Sequence, residues 1–343
     1  MLRARACARR NGRRRARRAD PPAGLLTRNV VRSGAAIVAA LLLLLLCPDA
    51  VWAFGPATHV FIGHQLLDVL SILPGALAEL LRAHPQSFLY GSMAADISFA
   101  KKYVPAGRHC HFWHVGEEIL LSADNDRLRA VAYGYLSHLA ADTIAHNFFV
   151  PRQLLLTSST KALGHGYWEH RFDAQLGERY ATIAREIVMD YDHSEADNLF
   201  DRVLSGTIFS FETNRRIFRG MIRMQDNDRW RAVFDRVLQS SRWDLTDDTV
   251  QQYLARSFDY VVDYLLRRRD SHAAALDPTG DFNLQLAKKV RRLAVREGLI
   301  PDAVRLRELA DDFFPVPDPR LGYWPARPDT RDALRGDGDA RDG

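Results

Sequence analysis

The sequence predicts an all-α fold, and three observations carry that prediction. Apolar residues recur at helical spacing along most of the stretch from His64 to Phe314. Continuous β-branched runs bounded by turn residues, the mark of buried strands, are rare. The segment Arg127–Phe149 is apolar almost all round, with Val131, Ala132, Leu136, Leu139, Ala140, Ile144 and Ala145 spread over its faces, as in a helix enclosed by others.

The residues before this pattern have a different character. Residues 1–33 carry eleven Arg against Asp20, and Ala35–Leu46 is a twelve-residue apolar run ending in six leucines. A basic region, a short apolar region and the small-residue pattern Val51-Trp52-Ala53 read as a secretory signal peptide over 1–53, with Phe54 as the mature N-terminus. The run is short of the roughly 20 residues a spanning helix needs. Lipidation at Cys47 fits less well, because Leu45 and Leu46 are large, and Arg17-Arg18 lacks the surrounding twin-arginine consensus. The expected location is therefore periplasmic or extracellular. The leader also holds Asp49, so the residues from 54 onward carry a net charge of −4 although the whole chain is +5. The apparent basicity thus gives no support to a nucleic-acid partner. Cys7 and Cys47 leave with the leader, so Cys110 has no intrachain disulfide partner and no Cys-rich zinc module is present.

The helical spacing then predicts helices over His64–Leu73, Pro74–Ala83, Arg127–Phe149, Tyr167–Asp190, His193–Val203, Ile208–Met224, Asp228–Leu238, Thr249–Arg268, Asn283–Glu297 and Ala303–Phe314. Asp277-Pro278-Thr279-Gly280 reads as a turn or soft boundary. The expected organisation is a main helical domain over 54–275, a C-terminal helical extension over 276–315, and a disordered tail over 316–343 rich in Pro, Gly, Asp and Arg.

All twelve histidines follow the leader, and most fall between His59 and His170. His138, Asp142 and His146 sit at i, i+4 and i+8, close to one face of the apolar helix. Two imidazoles and a carboxylate in such a place are costly unless compensated, and a metal ion is the simplest compensator. His165 and Glu169 repeat the i, i+4 spacing. His59, Asp96 and the run His109-Cys110-His111-Phe112-Trp113-His114 add further candidates. Each cluster alone has an ordinary reading: a core histidine, a helix cap, a solvated loop, an i, i+4 pair. Together they supply more imidazole and carboxylate than one metal can use, which points to a multi-metal site.

These motifs, Phe54…Thr58-His59, Gly91-Ser92…Asp96, His111-Phe112-Trp113, His138-x-x-x-Asp142, His146 and His165-x-x-x-Glu169, resemble in order and type those of the zinc-dependent phospholipase C family. Its helical fold is shared with single-strand-specific nucleases. The resemblance implies a multi-helix bundle holding three zinc ions. One site would be Asp96, His111, His138 and Asp142; a second the amino group and carbonyl of Phe54 with His59 and a shared Asp142; a third His146, His165 and Glu169. It also implies that signal removal creates an α-amino ligand. The chain differs from the family in starting at Phe54 where Trp is usual, and in a shorter gap from Asp142 to His146. His109 and His114 flank His111 as alternative ligands.

The activity implied is that of an exported phosphodiesterase that cleaves glycerophospholipids to diacylglycerol and a phosphorylated head group by metal-activated hydroxide. Asp142 would bridge two metals, and Asp96 would ligate or orient the attacking water. The substrate would be met transiently at a membrane surface by a monomer. The alternatives are a zinc nuclease on the same fold, which the negative charge disfavours, and a non-enzymatic zinc-binding helical protein. The stripe Arg215/Arg216/Arg219/Arg223 reads as a solvated helix face, and Trp230 and Trp243 as core aromatics rather than lipid contacts. Asn147, Ser137 and Thr58 are candidate partners of the ligands.

Overall fold

The computed structural model describes residues 54–98, 103–157, 161–204, 209–225, 232, 236, 243–317 and 320–325, all within one compact unit. The expected signal peptide over 1–53, the centre of the expected helix 228–238, Trp230 and residues 326–343 lie outside the described residues. The described residues form helices and no strands: α1 (Pro56–Asp68), α2 (Gly75–Ala83), α3 (Pro85–Ala94), α4 (Trp113–Leu121), α5 (Asp126–Ile144), α6 (Val150–Thr157), α7 (Lys161–Gln175), α8 (Glu178–Asp190), α9 (Ser194–Val203), α10 (Phe211–Gln225), α11 (Asp247–Arg267), α12 (Asp281–Arg296) and α13 (Ala303–Phe313). Among them, no helix is long and apolar enough to cross a membrane.

The fold is built around α5. Asn125 starts it, accepting the Leu128 N–H at 2.9 Å through its side chain. Its length is buried against α3, α4 and α11. The approach to α3 is the closest, and it depends on two glycines. A Cβ on Gly91 would stand 2.0 Å from the Val131 carbonyl oxygen, and one on Gly134 would stand 2.0 Å from that of Phe88. Backbone-to-backbone contact of this kind admits no larger residue. It also sets the site, because Asp96 follows Gly91 and His138 follows Gly134 on the two helices thus joined.

Several boundaries differ from expectation. The first helix begins at Pro56, where a proline at the first helical position suits an N-terminus, so His59 is helical. α3 and α4 were not expected. α3 is rich in small residues and buried along almost its whole length, so it shows no amphipathic period. The expected helix Tyr167–Asp190 is broken at Gly177, whose φ of 74° lies in the left-handed region. The long helix does not end at Phe149: Ala145–Phe149 form one π turn and the chain runs on as α6.

The C-terminal extension is part of the same body. α12 and α13 pack on α6, and α12 also on the π turn. Residues 320–325, inside the tail expected to lack structure, are held by buried Asp259 of α11. Its carboxylate accepts the N–H groups of Leu321, Gly322, Tyr323 and Trp324. Trp324 packs on Phe61 and Phe258.

Gly134→Ala is expected to lower stability by about 1–3 kcal/mol through overpacking. Gly220→Ala, with open space around the added Cβ, is expected to gain about 0.5–1 kcal/mol of helix stability. Chemical denaturation of both variants checks the pair.

Candidate metal centre

Asp142 is fully buried in α5, and three imidazoles surround its carboxylate. His111 Nε2 lies 3.0 Å and His138 Nε2 3.1 Å from Oδ2, while His59 Nε2 lies 3.4 Å from Oδ1. Asp96, on the short 3-10 turn Ala95–Ile97 that ends α3, closes the far side. Its Oδ1 is 3.5 Å from His111 Nε2 and its Oδ2 is 3.9 Å from His138 Nε2. The backbone holds His138 in place: Nδ1 lies 2.8 Å from the Ser92 carbonyl oxygen, so Nδ1 carries the proton and Nε2 presents its lone pair. Its ring stacks on that of His59 with centroids 3.9 Å apart.

The electrostatics suit a cation. Burial works to raise the Asp142 carboxyl, but the adjacent His138, together with the His111 and His59 rings facing the carboxylate, outweighs it and holds the group well below the usual carboxylate range. Burial lowers the His59 pKa, His138 lowers it further, and Asp142 only partly opposes them. The set thus offers an ionised carboxylate and a neutral imidazole, the protonation states in which these groups bind zinc. His59 Nε2 and both Asp142 oxygens are buried without a hydrogen-bond partner, a cost that a shared cation would remove. The residues present fit zinc.

A second convergence involves His146 on the π turn and His165 and Glu169 on α7. His165 Nε2 lies 2.9 Å from Glu169 Oε1, and the His146 and His165 rings are 5.3 Å apart edge to face. In the trios His111/His138/Asp142, His59/Asp96/His138 and His146/His165/Glu169, ligand atoms lie within 4.8 Å of one another. His109, Cys110 and His111 form one more such trio, but His109 Nδ1 accepts the His111 N–H and Cys110 Sγ sits 3.2 Å from His111 Nδ1, which leaves His111 Nε2 facing Asp142. His114 is exposed and turns to the Gly107 carbonyl at 2.7 Å. Of the three, only His111 turns toward Asp142.

Phe54 is fully buried, with its ring against those of His59, Phe149 and Phe172. The segment after it is fixed by a residue the sequence reading missed. The first N–H groups of any helix lack intrahelical partners, and the N-cap of α1 is Gly55, which has no side chain to offer. Asp173 of α7 supplies the cap from afar. It accepts the N–H groups of Ala57 and Thr58, both at 3.1 Å, and the Thr58 hydroxyl at 2.5 Å. A Cβ on Gly55 would stand 2.0 Å from Asp173 Oδ2. Enclosure pushes the Asp173 carboxyl up to about 6 against these hydrogen bonds. The available signal was its position: His165, Glu169 and Asp173 repeat the i, i+4, i+8 spacing of α5. Thr58 thus serves the N-terminal segment. Ser137 bonds only back to the Tyr133 carbonyl of its own helix at 2.8 Å, among the contacts described.

The arginine stripe on α10 splits in two. Arg215 pairs with Asp197, which also accepts the buried Tyr90 hydroxyl at 2.6 Å, and Arg219 bonds the Val188 carbonyl, so both join α10 to its neighbours. Arg216 pairs along the surface with Glu212. Trp243 packs against the core.

The described residues thus form an all-helical body with buried His/Asp/Glu clusters able to hold metal. Residues 58–214 match the family described as zinc dependent phospholipase C, in support of the resemblance that the motifs carry. No curated protein and no solved structure matched it.

Added zinc is expected to raise the melting temperature and a chelator to lower it, since a ligand bound only by the folded state adds about 4 kcal/mol at a thousandfold excess over its Kd. The zinc effect is expected to shrink in Asp142→Ala. Thermal scans of metal-free and zinc-loaded protein check both.

Proposed function

We propose that this protein is an exported zinc phosphodiesterase acting on glycerophospholipids and releasing diacylglycerol and a phosphorylated head group. The observation that carries this reading is the fully buried Asp142, with His111 and His138 against one oxygen and His59 near the other. A carboxylate so placed is suited to bridge two cations. Asp96, His111, His138 and Asp142 are assigned to one zinc, the Phe54 amino group and carbonyl with His59 and Asp142 to a second, and His146, His165 and Glu169 to a third. Bound zinc would supply Lewis acidity toward phosphate oxygens and lower the pKa of a water molecule toward neutrality.

The protein's own contribution is placement. Ser92 orients His138, Asp173 fixes the segment that starts at Phe54, and the apolar body of α5 keeps the charges strong by excluding solvent. The two inward arginines of α10 are engaged in packing, which favours a lipid over a nucleic-acid backbone as substrate.

The purified, zinc-loaded protein is expected to release phosphocholine from phosphatidylcholine vesicles and to leave single-stranded DNA intact. Release of nucleotides alone would overturn the lipid assignment in favour of a nuclease. Asp142→Asn is expected to lower the rate about 100-fold or more; full activity with all metals bound would defeat the bridging role. N-terminal sequencing of the exported protein is expected to begin at Phe54.

A further inference from the structure

The turn Asp277–Gly280 lies beyond the family match at 58–214, yet it sits directly on His146. His146 Nδ1 is 2.5 Å from the Pro278 carbonyl oxygen. A carbonyl accepts, so Nδ1 carries the proton, and Nε2 is the lone-pair atom available toward His165 and Glu169. The contact is close enough to dictate sequence. Gly280 has φ 59°, and a Cβ there would stand 2.4 Å from both the Cβ and the carbonyl oxygen of His146. Glycine is required twice over, by conformation and by space.

The turn is rigid in its own right and braced on the π turn. Asp277 accepts the Thr279 N–H at 3.0 Å and the Thr279 hydroxyl at 2.6 Å, and its carbonyl accepts the Gly280 N–H at 3.0 Å. Asn147 Nδ2 donates to the Asp277 carbonyl at 2.8 Å. Asn283 Nδ2 in turn donates to Asn147 Oδ1 at 3.0 Å and to the Asn147 carbonyl at 3.3 Å. That carbonyl needs such a donor, because the residue four further on is Pro151, which has no N–H.

We infer that the Asp277–Gly280 turn is a built part of the third metal site: it sets the tautomer and orientation of His146, so that the C-terminal extension completes a site whose ligands all lie in the family domain. Asn283 and Gly280 are positioning residues, and the assignment rests on the reading of His146, His165 and Glu169 as zinc ligands.

The test measures zinc per chain and competition with a chromophoric chelator, using the full exported protein and four variants. His165→Ala, which removes a ligand, is expected to lose one zinc; retention of the wild-type count would refute the third site itself and the inference with it. Given that loss, Gly280→Ala and Asn283→Ala are expected to weaken one zinc roughly 10–100-fold, as loss of outer support typically does, and to leave the others unchanged. Asn283→Ala adds no atoms, so it decides the matter if Gly280→Ala does not fold. Phe282→Ala, at a side chain 76% exposed beside the turn, is expected to bind as wild type. Wild-type affinity in Asn283→Ala and Gly280→Ala, or equal weakening in Phe282→Ala, would overturn the inference while leaving the third site standing.

Discussion

A carboxylate buried among imidazoles sets the terms for the rest of this fold. Asp142 is out of contact with water, and its charge is sustained only by the His59, His111 and His138 rings around it. Burying an ion costs several kcal/mol unless partners compensate it, so those rings must be held in place by something stiffer than their own rotamers. The backbone does this. The contact at Gly91 and Gly134 brings α3 against α5 until the Ser92 carbonyl reaches His138, and the same contact delivers Asp96. Tyr135, one turn of α5 before Leu139, donates its hydroxyl to the Cys110 carbonyl at 2.6 Å and so ties down the strand of chain that carries His111.

The π turn follows from the same constraint. In a continuous α-helix, steps of four residues drift by about 40° each, so His146 would leave the face of His138 only gradually. With the helix widened at Ala145–Phe149, His146 faces His165 of α7, and the chain runs on as α6. The extension meets the widened turn at two points: Asn283 donates to the Asn147 carbonyl, and the Pro278 carbonyl faces the His146 ring. The π turn and the closely packed C-terminal turn therefore meet at His146 and Asn147.

What the sequence made legible was whatever residue type and spacing encode together. Helical class, the His138/Asp142 spacing on α5 and the His165/Glu169 pair on α7 follow from periodicity, whereas His146, expected on the same helix face, sits on the π turn beyond α5. The choice of His111 among three nearby histidines rests on the resemblance of His111-Phe112-Trp113 to the family's motif; in the structure His109 supports His111 and His114 faces solvent. Illegible were groups whose role lies in the main chain. The Ser92 and Pro278 carbonyls carry no side-chain signature, and nothing in a residue's identity announces which carbonyl an imidazole will choose. α3 was hidden for a related reason: its small residues exist to permit contact, and a helix buried on every side has no polar period to read.

Asp173 shows how these constraints link the two ends of the site. The α1 N-terminus needs acceptors that Gly55 cannot supply, and Gly55 cannot be larger because Asp173 occupies the space where its side chain would be. Each choice enforces the other. The consequence is mechanical: the residues immediately after Phe54 are fastened to the helix that carries His165 and Glu169, about two turns and one turn before Asp173. A chain cut just before Phe54 would therefore present its new amino group from a segment already locked to α7, and the geometry of the His59 side of Asp142 could not relax independently of the His146 side. The Pro278 turn closes the same circuit from the other end. α5, α7, the α1 N-terminus and the C-terminal turn are thus joined by these contacts around the two His/Asp/Glu clusters.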